Sequence, residues 1–176
     1  MTAPTRNTQF ITDGRVSIDI STVGSNCNYG PNEAHWGAGG SEFVYVLAGS
    51  AVNQGGLVSI SGAGVATPVT GALFLTSSTL SYRFGFAQTA FAASQWGFVA
   101  VRGAKILVRV AGTAQQGAPL YTTDTSGELS VTTASASQFG LLGVLLESTA
   151  SASGSSATVS TANISFPVLR RPKVGS

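Results

Sequence analysis

The stretch WGFVAVRGAKILVRVAGTAQQGAPLY, Trp96 to Tyr121, decides how this chain folds. Phe98, Ala100 and Arg102 alternate with Val99 and Val101, and then Ile106, Val108 and Val110 alternate with Lys105, Leu107 and Arg109. Successive strand side chains point to opposite faces, so both segments read as β-strands. Gly103 between them predicts a tight hairpin turn, and Gly112 and Gly117 predict a glycine corner before a third strand at Leu120. The expected hairpin packs one apolar face and gathers Arg102, Lys105 and Arg109 on the other. Like charges on one face need acidic or polar groups opposite them. Either a partner surface supplies carboxylates, or the cations are the solvated side of an amphipathic hairpin.

The same alternation recurs along the chain: RVSIDIS around Ile18, EFVYVL from Glu42, GLVSIS from Gly56 and YRFGFA from Tyr82. These runs are rich in β-branched and aromatic residues and are separated by turn signals every eight to twelve residues or so, the pattern of a sandwich or small barrel. With 22 glycines in 176 residues, the fold expected is all-β, a β-sandwich or small β-barrel with glycine-rich corners and at most one or two short helices. The candidates for those helices are Ala87 to Ser94 and Thr133 to Phe139, each too short to be stable alone.

An internal similarity accompanies this pattern. VYVLAGSAVNQGGLV (Val44 to Val58) and ILVRVAGTAQQGAPLY (Ile106 to Tyr121) both run from a strand through Ala-Gly-Ser/Thr into a Gln-Gly corner and a second strand. It is either coincidence or two copies of one unit. The expected organisation is an extended arm over residues 1–13, one β domain over 14–169 whose simplest subdivision is two related units at about 40–90 and 95–169, and a basic tail over 170–176. Pro4 and the polar composition argue against helix in the arm, leaving Phe10 and Ile11 as its anchors on a neighbouring chain.

Charge narrows the function. Only 9% of residues are charged, against about 25% in an ordinary soluble protein, so the surface must consist largely of Ser, Thr, Asn, Gln and Gly. Such a surface does little to block edge pairing and favours assembly. The net charge is +2, and the one basic cluster, Arg170, Arg171 and Lys173, reads as a solvated tail or subunit contact and not as a nucleic-acid stripe. No run reaches the roughly 18 to 20 apolar residues of a membrane helix, and the first residues lack the apolar core of a secretory signal, so folding in a cytoplasm is expected.

Chemistry-bearing residues are sparse. The sequence holds no Gly-x-Ser-x-Gly elbow, no phosphate-binding loop and no His-Glu-x-x-His. Its one histidine, His35, lies in the Gly/Asn-rich segment NCNYGPNEAHWGAGGS (Asn26 to Ser41) and reads as an exposed or stacking loop residue. Glu33 and Glu42 flank that loop as a conceivable acid–base pair, and Cys27, Glu33 and His35 match no metal cage in number or spacing. The expectation is a protein that is not an enzyme and holds neither cofactor nor metal. Trp36, in the same loop, reads either as a subunit contact or as local packing.

From Gln95 to the C-terminus the order of motifs (Trp-Gly strand, Gly turn, AGTAQQGAPLY, SGEL, GLLGV and a closing strand ending in Arg-Arg-Pro) resembles the decoration, or cement, proteins of tailed-phage heads. The likeness covers a little over half of the chain and rests on glycine corners and hydrophobic alternation. It implies a structural virion protein on the capsid exterior, made in the bacterial cytoplasm, that binds the major capsid protein as a homo-oligomer, with a trimer favoured. The candidate contacts are then Phe10, Ile11, Trp36, Arg102, Lys105, Arg109, Arg170 and Arg171. A second possibility is a head fibre or glycan-binding module using Tyr29, His35 and Trp36.

Overall fold

The computed structural model describes residues 10–12, 17–71, 83–132, 138–151 and 157–170. Over these residues the protein is all-β. The strands are β1 Phe10–Thr12, β2 Ser17–Asp19, β3 Ala34–Trp36, β4 Glu42–Ala48, β5 Leu57–Ile60, β6 Val65–Pro68, β7 Arg83–Ala87, β8 Trp96–Ala111, β9 Leu120–Thr122, β10 Leu129–Ser130, β11 Gly140–Leu146 and β12 Ala157–Arg170. One 3₁₀ turn, Ala38–Gly40, precedes β4.

The principal feature is β8, a continuous strand of 16 residues. Its first half pairs antiparallel with β4 and β7, and β5 and β6 complete a closed five-stranded barrel in which β6 returns parallel to β4. Its second half pairs antiparallel with β12, and the order β12, β11, β9, β10 returns to β8 through a parallel pair at Leu129 and Val110, closing a second circuit. The internal similarity is therefore structural. In strand order, β4, β5, β6, β7 and the first half of β8 correspond to the second half of β8, β9, β10, β11 and β12. Corresponding details recur: the isolated bridges Val52–Phe91 and Ala114–Ala150, and the turns Asn53–Gly56 and Gln115–Ala118, with Gly55 at φ 73° and Gly117 at φ 74°. The two units are not divided near residues 90–95, because one strand belongs to both.

Packing follows from this topology. Val44, Val46, Val58, Ile60, Ala66, Ala87, Val99 and Val101 come from all five strands of the first barrel and form one buried cluster. The alternate residues of the same strands, Phe43, Tyr45, Leu57, Phe86, Phe98 and Ala100, join Ile106, Val108, Val110, Leu120, Leu129, Leu146 and Ala162 in the larger cluster. Thus Phe98 to Val101 is buried on both faces, where the sequence pattern suggests a single apolar face.

Two local expectations are corrected. Gly103 is not a hairpin turn: it lies inside β8 at φ 141°, with Lys105 two residues on at φ 56°; the pairing to β12 shifts register between Gly103 and Ile106, and that to β4 between Ala100 and Arg102. The glycine admits a bend, and a Cβ at this position would collide with Ser41, Cα included at 3.1 Å. The short helix expected from Ala87 does not form either. Phe91 exchanges backbone hydrogen bonds with Val52 at 2.9 and 3.0 Å, and Ser94 sits in a turn at φ 63°. Of the second helix candidate, residues 133–137 lie outside the described residues, and Gln138 and Phe139 are not helical.

Residues 10–12, expected in an extended arm that pairs with a neighbouring chain, pair with residues 17–19, Phe10 opposite Asp19 and Ile11 opposite Ile18. Their ladder bonds on that side are thus made within the chain, and residues 1–9 lie outside the described residues. Gly103→Ala should cost about 1–3 kcal/mol through its disfavoured φ and the Ser41 clash. Gly62→Ala, with open space around it, should stay within about 0.5 kcal/mol. Denaturant unfolding of the two variants compares them directly.

Candidate functional site

Strands β11 and β12 pair antiparallel, with Leu142 opposite Val168 and then Val144 opposite Ile164. Between those pairs the single residue Gly143 faces Ser165, Phe166 and Pro167, an irregularity that bends the ribbon and re-aims side chains. Gly143 takes φ 78° and approaches so closely that a Cβ would stand 2.5 Å from the Ser165 carbonyl oxygen. Opposite it, Phe166 adopts φ 48°. That conformation is uncommon for a bulky residue, and proline at the next position adds a bias toward extended backbone.

The outcome is an exposed apolar face. Leu142 is 50% exposed, Leu145 53%, Phe166 47% and Val168 54%, whereas Leu141 and Leu146 of the same strand point into the core. A depression of about 350 Å³ lies in this face, lined by Gly143, Val144, Leu145, Asn163, Ile164 and Ser165. Arg102 borders it: its Cζ lies 5.8 Å from the centre of the Phe166 ring, and its backbone is in register with Ser165.

The sequence-predicted contacts divide around this face. Arg102 and Lys105 are exposed, and the Lys105 backbone N–H donates to Glu147 Oε1 at 3.4 Å. Arg170 is exposed on β12, two residues beyond Val168, and Arg171 lies outside the described residues. Arg109 is different: its Nε donates to Glu128 Oε1 at 3.0 Å, so the carboxylate expected on a neighbouring subunit belongs to the same chain. Trp36 is 52% exposed on β3, the terminal strand of the ten-stranded order. A single register row runs Trp36, Glu42, Arg102, Ser165 across β3, β4, β8 and β12, which puts Trp36 about two strand spacings, or roughly 10 Å, from Arg102 along the sheet.

The loop chemistry resolves differently from its expectation. His35 is not an exposed loop residue: it is 5% exposed in β3, edge-on to Tyr29 and Phe98 with ring centres at 5.2 and 5.5 Å. Its Nε2 stands 3.7 Å from Glu33 Oε1. Tyr29 in turn meets Tyr45 at 5.0 Å, so of the glycan-binding trio only Trp36 is an exposed ring. Glu33 accepts from the Gly30 N–H at 2.7 Å, and Glu42 is ion-paired with Arg83. Each carboxylate of the conceivable acid–base pair therefore has a local partner. Cys27 Sγ donates to the Tyr29 carbonyl at 2.9 Å. Among the described residues no group of three metal-ligating side chains converges, and no helix is long and apolar enough to cross a membrane.

Sequence reasoning missed Leu142, Leu145, Phe166 and Val168. The available signal was GLLGVLLES, whose apolar residues occupy both faces of one strand. Such a strand is either buried on both sides or exposes one side to a partner, and the sequence alone favours the former. No protein-family model matches the chain, and a search of curated proteins returns no relative.

Reversing charge at Arg109 should leave the nearly buried Glu128 facing a like charge and cost about 1–3 kcal/mol, while the neutral changes Arg102→Gln and Lys105→Gln should change stability by less than about 0.5 kcal/mol. Thermal melts of the three single variants test this. A second expectation concerns Tyr45, whose phenol is pushed up from its ordinary value by burial, with the Asn28 backbone hydrogen bond opposing. Because the raised folded value favours the neutral form, its contribution is full below about pH 10 and is lost as pH rises past the folded value. Alkaline unfolding followed by circular dichroism should therefore begin at lower pH in the native sequence than in Tyr45→Phe.

Proposed function

We propose that this chain is a non-enzymatic structural protein of a virion that decorates a phage capsid and stabilises it by binding noncovalently to coat subunits. The observation that carries the reading is the exposed apolar face on β11 and β12, presented by a closed β scaffold in a chain whose surface is otherwise largely uncharged. The largest apolar patch on a folded protein is often functional. The likeness of residues 95–176 to decoration proteins supports the same reading.

Magnitudes favour many weak contacts over one strong one. Four half-exposed side chains offer on the order of 300 Å² of apolar area. Burying it contributes roughly 7 kcal/mol at about 25 cal/mol per Å², which is comparable with the freedom lost on association. One contact is therefore marginal, whereas an oligomer engaging several coat subunits at once gains by multivalency. The proposed partners are the major capsid protein and further copies of this chain, with the β3 edge and Trp36 as the self-association route to a trimer. The proposed location is the capsid exterior, reached after synthesis in the bacterial cytoplasm.

The test is add-back. Purified protein mixed with heads stripped of accessory proteins should bind in saturable, stoichiometric amounts and raise the temperature at which the heads melt. Heads that melt identically with and without the protein, and that carry none after sedimentation, would overturn the reading.

A further inference from the structure

We propose that the outer face of β11 and β12 captures an apolar protein segment flanked by carboxylates, seating one apolar side chain in the depression beside Gly143. The inference deepens the capsid reading by specifying the chemistry of the partner, and it rests on that reading only for where such a segment is found.

Three observations converge on this occupant. The first is shape and polarity. The depression is lined by Gly143, Val144, Leu145, Asn163, Ile164 and Ser165, with Leu142, Phe166 and Val168 exposed alongside. The second is strain. Phe166 is held out at φ 48° ahead of a proline, and disfavoured backbone of this kind persists where the surrounding structure imposes it, commonly at ligand clamps.

The third observation is charge. Arg102, Lys105 and Arg170 are all exposed around this face, and a guanidinium stacked over a ring still presents its N–H edge to a carboxylate. A second copy of the chain is a poor complement. Of the five carboxylates whose side chains are among the described residues, Glu33, Glu42, Glu128 and Glu147 accept hydrogen bonds within the chain, and only Asp124 remains for a partner. A two-fold contact would also set each Arg102 against its own like-charged rim. Among the described residues this chain therefore offers little of the carboxylate that would match this face, which favours a different protein as the partner.

The probe is a labelled 12-residue peptide with a Leu-Phe-Leu centre and aspartates on both sides, titrated by fluorescence anisotropy. Controls are the same centre flanked by lysines and the aspartate frame with a serine centre. The acidic apolar peptide should bind at least tenfold more tightly than either control and weaken as salt rises. Phe166→Asn and Arg102→Glu should each weaken it tenfold or more. Asparagine tolerates positive φ, so Phe166→Asn should melt at or above the temperature of the native sequence, separating lost binding from lost folding.

Equal affinity for the lysine-flanked peptide, or native affinity in Phe166→Asn, would overturn the proposal. So would sedimentation in which the native sequence forms an oligomer that Phe166→Asn disperses, since the face would then belong to a second copy. Heads decorated equally by the native sequence and Phe166→Asn overturn this face and leave the capsid reading standing. A native protein that binds the acidic peptide but adds to no heads overturns the capsid reading and leaves the face standing.

Discussion

Everything in this molecule depends on one strand being long enough to serve two sheets. A five-stranded barrel closes only when its last strand finds the first, and β8 does this for β4 with its first half. The same backbone then supplies the opening strand of the second circuit, paired along eight positions with β12. Closure removes the edges of the strands within the two circuits, the usual liability of a β protein, and leaves β3 as a terminal strand. It also explains why Val99 and Val101 are as buried as Phe98 and Ala100, for a wall shared by two cores has no solvent face.

Much of this was legible in the residues. The runs Phe43 to Leu47, Leu57 to Ile60 and Phe84 to Phe86 identify strands because they are short, rich in β-branched and aromatic residues and bounded by turn signals. The repeated Ala-Gly corner is legible because the turns Asn53–Gly56 and Gln115–Ala118 are local and need the same residue types. What escapes a sequence reading is whatever depends on a distant neighbour. Gly103 signals positive φ equally well in a hairpin or in a bent continuous strand, and only Ser41 and the register shifts on both sides distinguish them. His35, amid glycines and asparagines, looks exposed until β3 lays it against Phe98.

The candidate surface was half legible, for the same reason. Cations announce themselves, so Arg102, Lys105 and Arg170 could be named from sequence, but their partners could not. Arg109 is consumed by Glu128, 19 residues away, while Arg102 lies over Phe166 of the adjacent strand β12, 64 residues on in sequence. Leucines carry no such announcement. Leu141 and Leu142 are chemically identical neighbours, and the pleat alone decides that the first enters the core and the second faces outward.

The sharing of β8 also sets an order of assembly. Chain growth delivers every strand of the first barrel by residue 102, well before β10 and β12 exist, so residues 106–110 wait without their β12 ladder, tethered to a nearly finished unit where the Arg109 N–H reaches the Gly55 carbonyl and Leu107 meets the Gln88 side chain. A bare apolar strand in that interval is the kind of template on which nascent chains pair with one another. Lys105 and Arg109 interrupt that run at its start and near its end, in the manner of charged residues that guard unavoidable hydrophobic segments. On this view the cations within the most apolar stretch of the sequence serve the chain before it is complete, whatever they bind afterwards.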